Sequence, residues 1–392
     1  MSKNVEEFEG WLRTAFVEMN TELENRYFAQ DARENVVGIA DPIKHQIRDE
    51  GHQYVVRLLA EGNTDEGFDH AFNLLGDLGL YMASLRRHEL TNPAKEEKSP
   101  FPEASALGMQ IAASVGMVPR FSTAHLATHN QAINGRQKSF TSLNDEYLFL
   151  DYNTRGIFAF MRASDALTRI LPIGISHPVA LTLLNDAANA LRDVIKYNDY
   201  LFDELDTDRF FFSVRPYYKP YRVGRHEYRG ANAGDFSGIN EIDMLLGLCN
   251  ANDPYYSQLL VDKMLFMPPA DQASLRDCMR RRSLLSQFLD VAEKSAKEPW
   301  FIENASAFLE VCKLHGATAA QHHDRLVTRF IEKPSKALPA EKLTQVTASG
   351  PPLEVLLRSL EVLRDMRLAV KRDDIRTSYN DIEKLKRYIG EK

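Results

Sequence analysis

Residues 322–331, HHDRLVTRFI, read as a helix: Leu326, Val327, Phe330 and Ile331 recur along one face, and His323, three positions before Leu326 and four before Val327, falls on that face. On an α-helix the adjacent His322 points about 100° away, so only one of the two imidazoles can turn inward with the stripe. The same period extends outward through the chain. Phe8, Leu12, Phe16 and Met19 open it at spacings of four, four and three; comparable stripes run through 65–88, 142–170, 177–204 and 270–292; Leu353, Leu356, Leu357, Leu360 and Leu363 close it. Strand-like alternation is confined to Phe210–Tyr228, where prolines and glycines make an irregular crossing segment. The fold class is therefore all-α.

Composition limits the function. With 392 residues, 44% hydrophobic and 26% charged, the chain can bury a core large enough to enclose a sizeable ligand. A net charge of −7 supplies no general basic field for a phosphate backbone, which argues against a nucleic-acid partner. No apolar run reaches the roughly 18 residues of a membrane span, and the N-terminus MSKNVEEFEGWL lacks the basic start and apolar core of a signal peptide. Cys249, Cys278 and Cys312 are odd in number and lack C-x-x-C spacing, so a reducing cytoplasm is expected. Two stretches rich in Pro, Lys, Ser and Ala, 91–102 and 333–352, read as surface linkers, and the second has the length of a lid. The first suggests a division into an N-terminal helical part, 1–95, and a helical body, 96–392.

Three sites could carry chemistry. His125 and His129 stand at i, i+4, a spacing that can place two imidazoles toward one metal, but no H-E-x-x-H arrangement accompanies them. His323 is either a hydrogen-bonded core histidine or, as axial donor to a haem iron, the wall of an apolar cavity. Arg215 sits among Phe210, Phe211, Phe212, Tyr217 and Tyr218. A guanidinium so placed pairs an internal carboxylate, stacks, reaches water, or holds the carboxylate of an aromatic amino acid.

Taken in order, these segments resemble the indoleamine/tryptophan 2,3-dioxygenase haem superfamily, and within it the monodechloroaminopyrrolnitrin synthase branch. FFSVRPYYKPYRVG, then EYRGANAGDFSGINEIDMLLG, then MLFMPPA (Met264–Ala270), then HDRLVTRFI from His323 are similar to its successive motifs. Upstream, SLRRHEL, VGMVPRFSTAHLATHN and SFTSLNDEYLFL are similar to the pyrrolnitrin-type branch, so the resemblance spans about 84 to 370. It implies haem b with its iron on His323, and Asp243 as the carboxylate that accepts the ligand's Nδ1 proton. It implies Arg215 at the substrate carboxylate, with Phe211 and Asn232 beside the substrate and Gly230 and Ala233 close to the cofactor.

Three departures bear on the reaction. Ala320 stands where indoleamine dioxygenases carry an arginine for a haem propionate, leaving Arg325, Arg329 or another base to serve. VTASGPP, with Pro351 and Pro352, replaces a mobile Gly-Thr-rich loop, and Asn232 replaces a serine. The implied function is a haem-dependent oxygenase or oxidase in specialised metabolism, acting with O2 on a tryptophan-like amino acid, with room for an electron donor. The outcomes open to it are dioxygenation, monooxygenation, or oxidative ring rearrangement with decarboxylation. The alternatives are a non-catalytic haem carrier or sensor and a helical interaction scaffold. His125 or residues around Phe149 are candidates for the distal side.

Overall fold

The computed structural model describes residues 2–62, 66–333 and 353–390. The expected all-α fold is observed. The N-terminal layer comprises α1 (Lys3–Leu12), α2 (Ala15–Phe28), α3 (Asp41–Glu61), α4 (Phe68–Arg87) and α5 (Pro102–Val115), and the one-turn α6 (Thr123–Leu126) follows. The long pair α7 (Asn144–Ile173) and α8 (Pro178–Glu204) pack along each other. Beyond them come α9 (Ser237–Leu245), α10 (Pro254–Met264), α11 (Pro269–Cys278), α12 (Leu284–Ser295), α13 (Pro299–Gln321), α14 (Leu353–Arg367) and α15 (Tyr379–Tyr388). Among the described residues no helix is long and apolar enough to cross a membrane.

Two predicted stripes are each split into two helices. The opening stripe breaks at Arg13 and Thr14, where Arg13 turns its guanidinium out of the helix to the carbonyls of Gln131 and Arg136. The stripe over 270–292 becomes α11 and α12, and Ser283 starts the second by accepting a hydrogen bond from the Ser286 amide. The segment 210–228 holds the one hairpin among the described residues, Tyr221–Val223 against His226–Tyr228, turning at Gly224 with φ of +59°. Residues 334–352, which contain most of the second linker with Pro351 and Pro352, lie outside the described residues.

Two large apolar clusters fill the interior. One joins α1–α5 to Phe121, Phe140, Tyr217 and Tyr221; the other joins the C-terminal half of α7, α8 and α9–α15. A smaller cluster of Leu201, Phe202, Leu205, Phe210, Val214 and Phe330 ties the end of α8 to two stretches of π-helix, Phe210–Val214 and His322–Glu332. These wide i→i+5 turns are rare and concentrate at functional sites. They carry Phe211 and His323, which are far apart in sequence, and meet through Phe210 and Phe330 with ring centroids 6.0 Å apart.

Candidate haem and substrate site

The first π segment is shaped by proline. Asp206 caps a single turn at Thr207–Arg209, accepting the Arg209 amide at 2.7 Å, and the ladder widens until the Arg215 amide bonds Phe210 O. Pro216 has no amide to offer, so an α-helical bond to the Phe212 carbonyl cannot form; Arg87 Nη2 fills that carbonyl at 2.8 Å. The chain then tightens into a 3-10 turn, Arg215–Tyr218.

Arg215 has neither hydrogen bond nor ion pair among the described residues. Its guanidinium lies 5.4 Å from the centre of the Phe211 ring, its Nη2 is buried without a partner, and burial pushes its pKa down to about 10. Close by in sequence, the hydroxyls of Ser213 and Tyr218 are also buried and unpartnered. Among the described residues there is no internal carboxylate that would make Arg215 a core clamp. Phe211 is buried, as a ring-face wall requires.

Asp243 on α9 is fully buried and fully bonded. Its Oδ1 accepts His315 Nε2 at 2.7 Å and Arg367 Nε at 2.8 Å; its Oδ2 accepts Tyr256 Oη at 2.7 Å and Arg367 Nη2 at 2.8 Å. Burial alone would raise its pKa, but Arg367 and His315 hold the carboxyl well below its ordinary value. Gly316 makes this possible, since a Cβ there would lie 3.1 Å from the Arg367 carbonyl. The close crossing of α13 and α14 delivers Arg367 to Asp243. The resemblance put His323 in that bond, whereas the structure gives the carboxylate to His315 and Arg367. Neither partner was legible, because His315 and Arg367 reach Asp243 from helices distant in sequence.

His323 is half-buried, at the start of the second π segment, rather than enclosed by the apolar stripe. Val327 and Phe330 are buried as expected, but the wider ladder turns His323 toward α14. Its Nδ1 lies 3.2 Å from Asp324 Oδ1 and 3.3 Å from Arg364 Nη1, and its Nε2 has no partner among the described residues. His322 is exposed to solvent-sized space, yet desolvation, with Arg367 and Lys263 on its protein side, lowers its pKa to about 4.

Lys263 borders the same region. Burial takes it down to about 8, and its Nζ donates to Gly234 O at 2.8 Å and Asn240 Oδ1 at 3.3 Å.

The small-residue stretch is held by an aspartate that sequence reasoning missed. Asp235, fully buried, accepts both Arg229 terminal nitrogens at 2.9 Å and the Asn232 amide at 2.9 Å, and Thr123 Oγ1 donates to Asn232 O at 2.5 Å. The D three residues after N in NAGD, a spacing at which a carboxylate can reach back to the amide that opens the turn, was the available signal. Gly230 is buried, Ala233 exposed, and the Asn232 side chain makes no hydrogen bond among the described residues.

The remaining candidates are committed elsewhere. Arg325 pairs with Asp199 and Asp203, and Arg329 donates to Phe202 O, so both propionate candidates are occupied on α8. His125 stacks on Phe72 at 3.9 Å; its Nδ1 accepts the Ser122 amide and its Nε2 donates to Phe72 O. With both nitrogens used, it is neither a metal ligand nor a donor to bound oxygen.

An all-α chain with two touching π segments, one beginning at His322 and His323 and the other leading into an arginine that has no counterion among the described residues, matches the architecture expected of a haem-dependent oxygenase of aromatic amino acids. The profile of the monodechloroaminopyrrolnitrin synthase PrnB family matches residues 2–389, and the chain belongs to that family. The match includes the first 80 residues, which the sequence motifs had left unassigned. The protein is accordingly a haem-dependent oxygenase that acts with O2 on a tryptophan-type substrate.

Proposed function

We propose that haem b is held through His323 and that the substrate carboxylate is taken by Arg215. The donor chemistry fits the cofactor: Nε2 of His323 has no partner among the described residues, and Asp324 Oδ1, 3.2 Å from Nδ1, can accept the Nδ1 proton that an iron-bound imidazole carries. When bound, haem supplies the iron-centred oxygen chemistry. The chain's own residues bind, orient and exclude water. Arg215 supplies a charge-assisted bond to the carboxylate, and Phe211 an aromatic wall. Asn232, whose side chain has no hydrogen bond among the described residues, offers its side-chain amide to the substrate's polar end, while Gly230 and Ala233 keep the neighbouring wall thin for the cofactor. Asp243 acts one layer back, locking α9, α10, α13 and α14 behind the iron-bearing segment through His315, Arg367 and Tyr256.

The observation that carries this reading is the half-buried guanidinium of Arg215, whose Nη2 is enclosed with no partner among the described residues, because a cation withdrawn from water and left unpaired costs free energy unless a ligand completes it. The reaction we favour is the pyrrolnitrin-type ring rearrangement with loss of the carboxyl group, in a cytoplasmic enzyme. Incubating ferrous holoenzyme in air with carboxyl-labelled L-tryptophan and its ring-halogenated forms tests it. Labelled carbon dioxide released only with O2 is expected; a ring-opened product that retains the label would rule the rearrangement out. Equal turnover of tryptamine and tryptophan would rule out the carboxylate anchor.

A further inference from the structure

Two glycines of α4, Gly76 and Gly79, stand three positions apart and so share a face of the helix. A Cβ at Gly76 would lie 2.5 Å from His125 Cδ2, and one at Gly79 2.8 Å from the Phe121 Cα, so the two bare positions let residues 121–125 lie against the helix. His125 pins that segment: its Nδ1 accepts the Ser122 amide at 2.9 Å and its Nε2 donates to Phe72 O at 2.8 Å. The seated segment reaches the small-residue stretch at two points. Arg120, fully buried, donates from Nη1 to the carbonyls of Tyr228 and Arg229, with its guanidinium 4.5 Å from the centre of the Tyr221 ring. Thr123, also buried, gives its hydroxyl to Asn232 O at 2.5 Å. Asp235 accepts the Asn232 amide at 2.9 Å, and Lys263 donates to Gly234 O at 2.8 Å. Asn232 is thus fixed at both of its backbone polar groups, while its half-buried side chain makes no hydrogen bond among the described residues.

We propose that Thr123 is a positioning residue for substrate recognition: seated on α4, it sets the backbone of Asn232 and so aims the open side-chain amide at the polar end of the substrate. The inference rests on the reading of Asn232 given above and adds the device that holds it. A side chain discriminates between ligands when its own backbone is held to within about 0.5 Å, and a buried hydroxyl on the carbonyl together with a buried carboxylate on the amide does this for Asn232. The arrangement also gives the N-terminal layer a part in the site. Gly76, Gly79 and His125 touch no substrate, yet they fix the segment from which Thr123 acts.

The test uses holoenzyme and compares dissociation constants, read from the change in haem absorption, for L-tryptophan and for indole, which has the ring and no polar end. Thr123→Val keeps the shape of the side chain and removes the hydroxyl. It should weaken tryptophan roughly three- to tenfold and leave indole affinity and haem content as in wild type. Thr123→Ala repeats the deletion without the methyl that replaces the hydroxyl, and Thr123→Ser, which keeps the hydroxyl, should restore wild-type affinity for tryptophan. A merely structural bond would not separate tryptophan from indole. If Thr123→Val and Thr123→Ala weaken both ligands alike, or neither, while Asn232→Ala weakens tryptophan alone, Thr123 is no positioning residue and Asn232 works without it. If Asn232→Ala also binds tryptophan as wild type does, the reading of Asn232 itself fails.

Discussion

Arg367 and Arg215 are both guanidiniums removed from water, and the protein treats them oppositely. Arg367 grips both oxygens of Asp243, whose remaining acceptor sites go to His315 and Tyr256, and the pairing raises its pKa despite burial. Arg215 meets a ring face, and among the described residues its Nη2 has no partner and no carboxylate pairs with it. The fold can build a closed ion pair where it needs one, as it does again with Arg87 and Glu24. At Arg215 no such pair is made among the described residues, which is what the proposed carboxylate anchor requires. Closed charge networks hold the helices; the open one is where we propose the substrate carboxylate binds.

Breaking the closed side should have the largest effect. Arg367→Met leaves Asp243 buried and short of two bonds, and a loss of roughly 3–5 kcal/mol in unfolding free energy is expected from denaturant titration. A loss under about 1 kcal/mol would show that the network does not bind α14 to the body. On the open side the pattern inverts. Arg215→Leu removes an uncompensated cation, so the unfolding midpoint should stay level or rise, while affinity for a carboxylate-bearing indole falls by about 1.5–3 kcal/mol, on the order of ten- to a hundredfold. Marked destabilisation of ligand-free protein would mean that Arg215 is structural.

The comparison sharpens further with two imidazoles. His125 is closed at both nitrogens and His323 open at one. Burial drops the His125 pKa to about 3, so the folded state favours its neutral form. The stability this brings is present above the unfolded value near 6.5 and is lost as pH falls toward about 3. His125→Asn should flatten the acid limb of the stability profile by at most about 1.4 kcal/mol per pH unit between those values. An unchanged slope would show that His125 is not held neutral.

Much of this was legible from periodicity and local chemistry. The stripes over 142–170 and 177–204 became α7 and α8 almost residue for residue, because each is long and one-faced. An arginine among five rings announced itself. What could not be read was whether its counterion came from within, since that depends on segments such as α4 packing against the turn. The α-helical wheel also misjudged His323. A π ladder turns more slowly per residue, and nothing in HHDRLVTRFI signals it. The Asp243 network stayed hidden because Gly316, a single small residue in α13, sets the approach of Arg367.

The account stands on iron at His323 Nε2. The most direct measurement is the haem content and absorption spectrum of purified His323→Ala beside His322→Ala. His323→Ala should lose stable haem, and His322→Ala should keep the wild-type histidine-ligated spectrum. A wild-type spectrum in His323→Ala, or its loss in His322→Ala alone, would place the iron elsewhere.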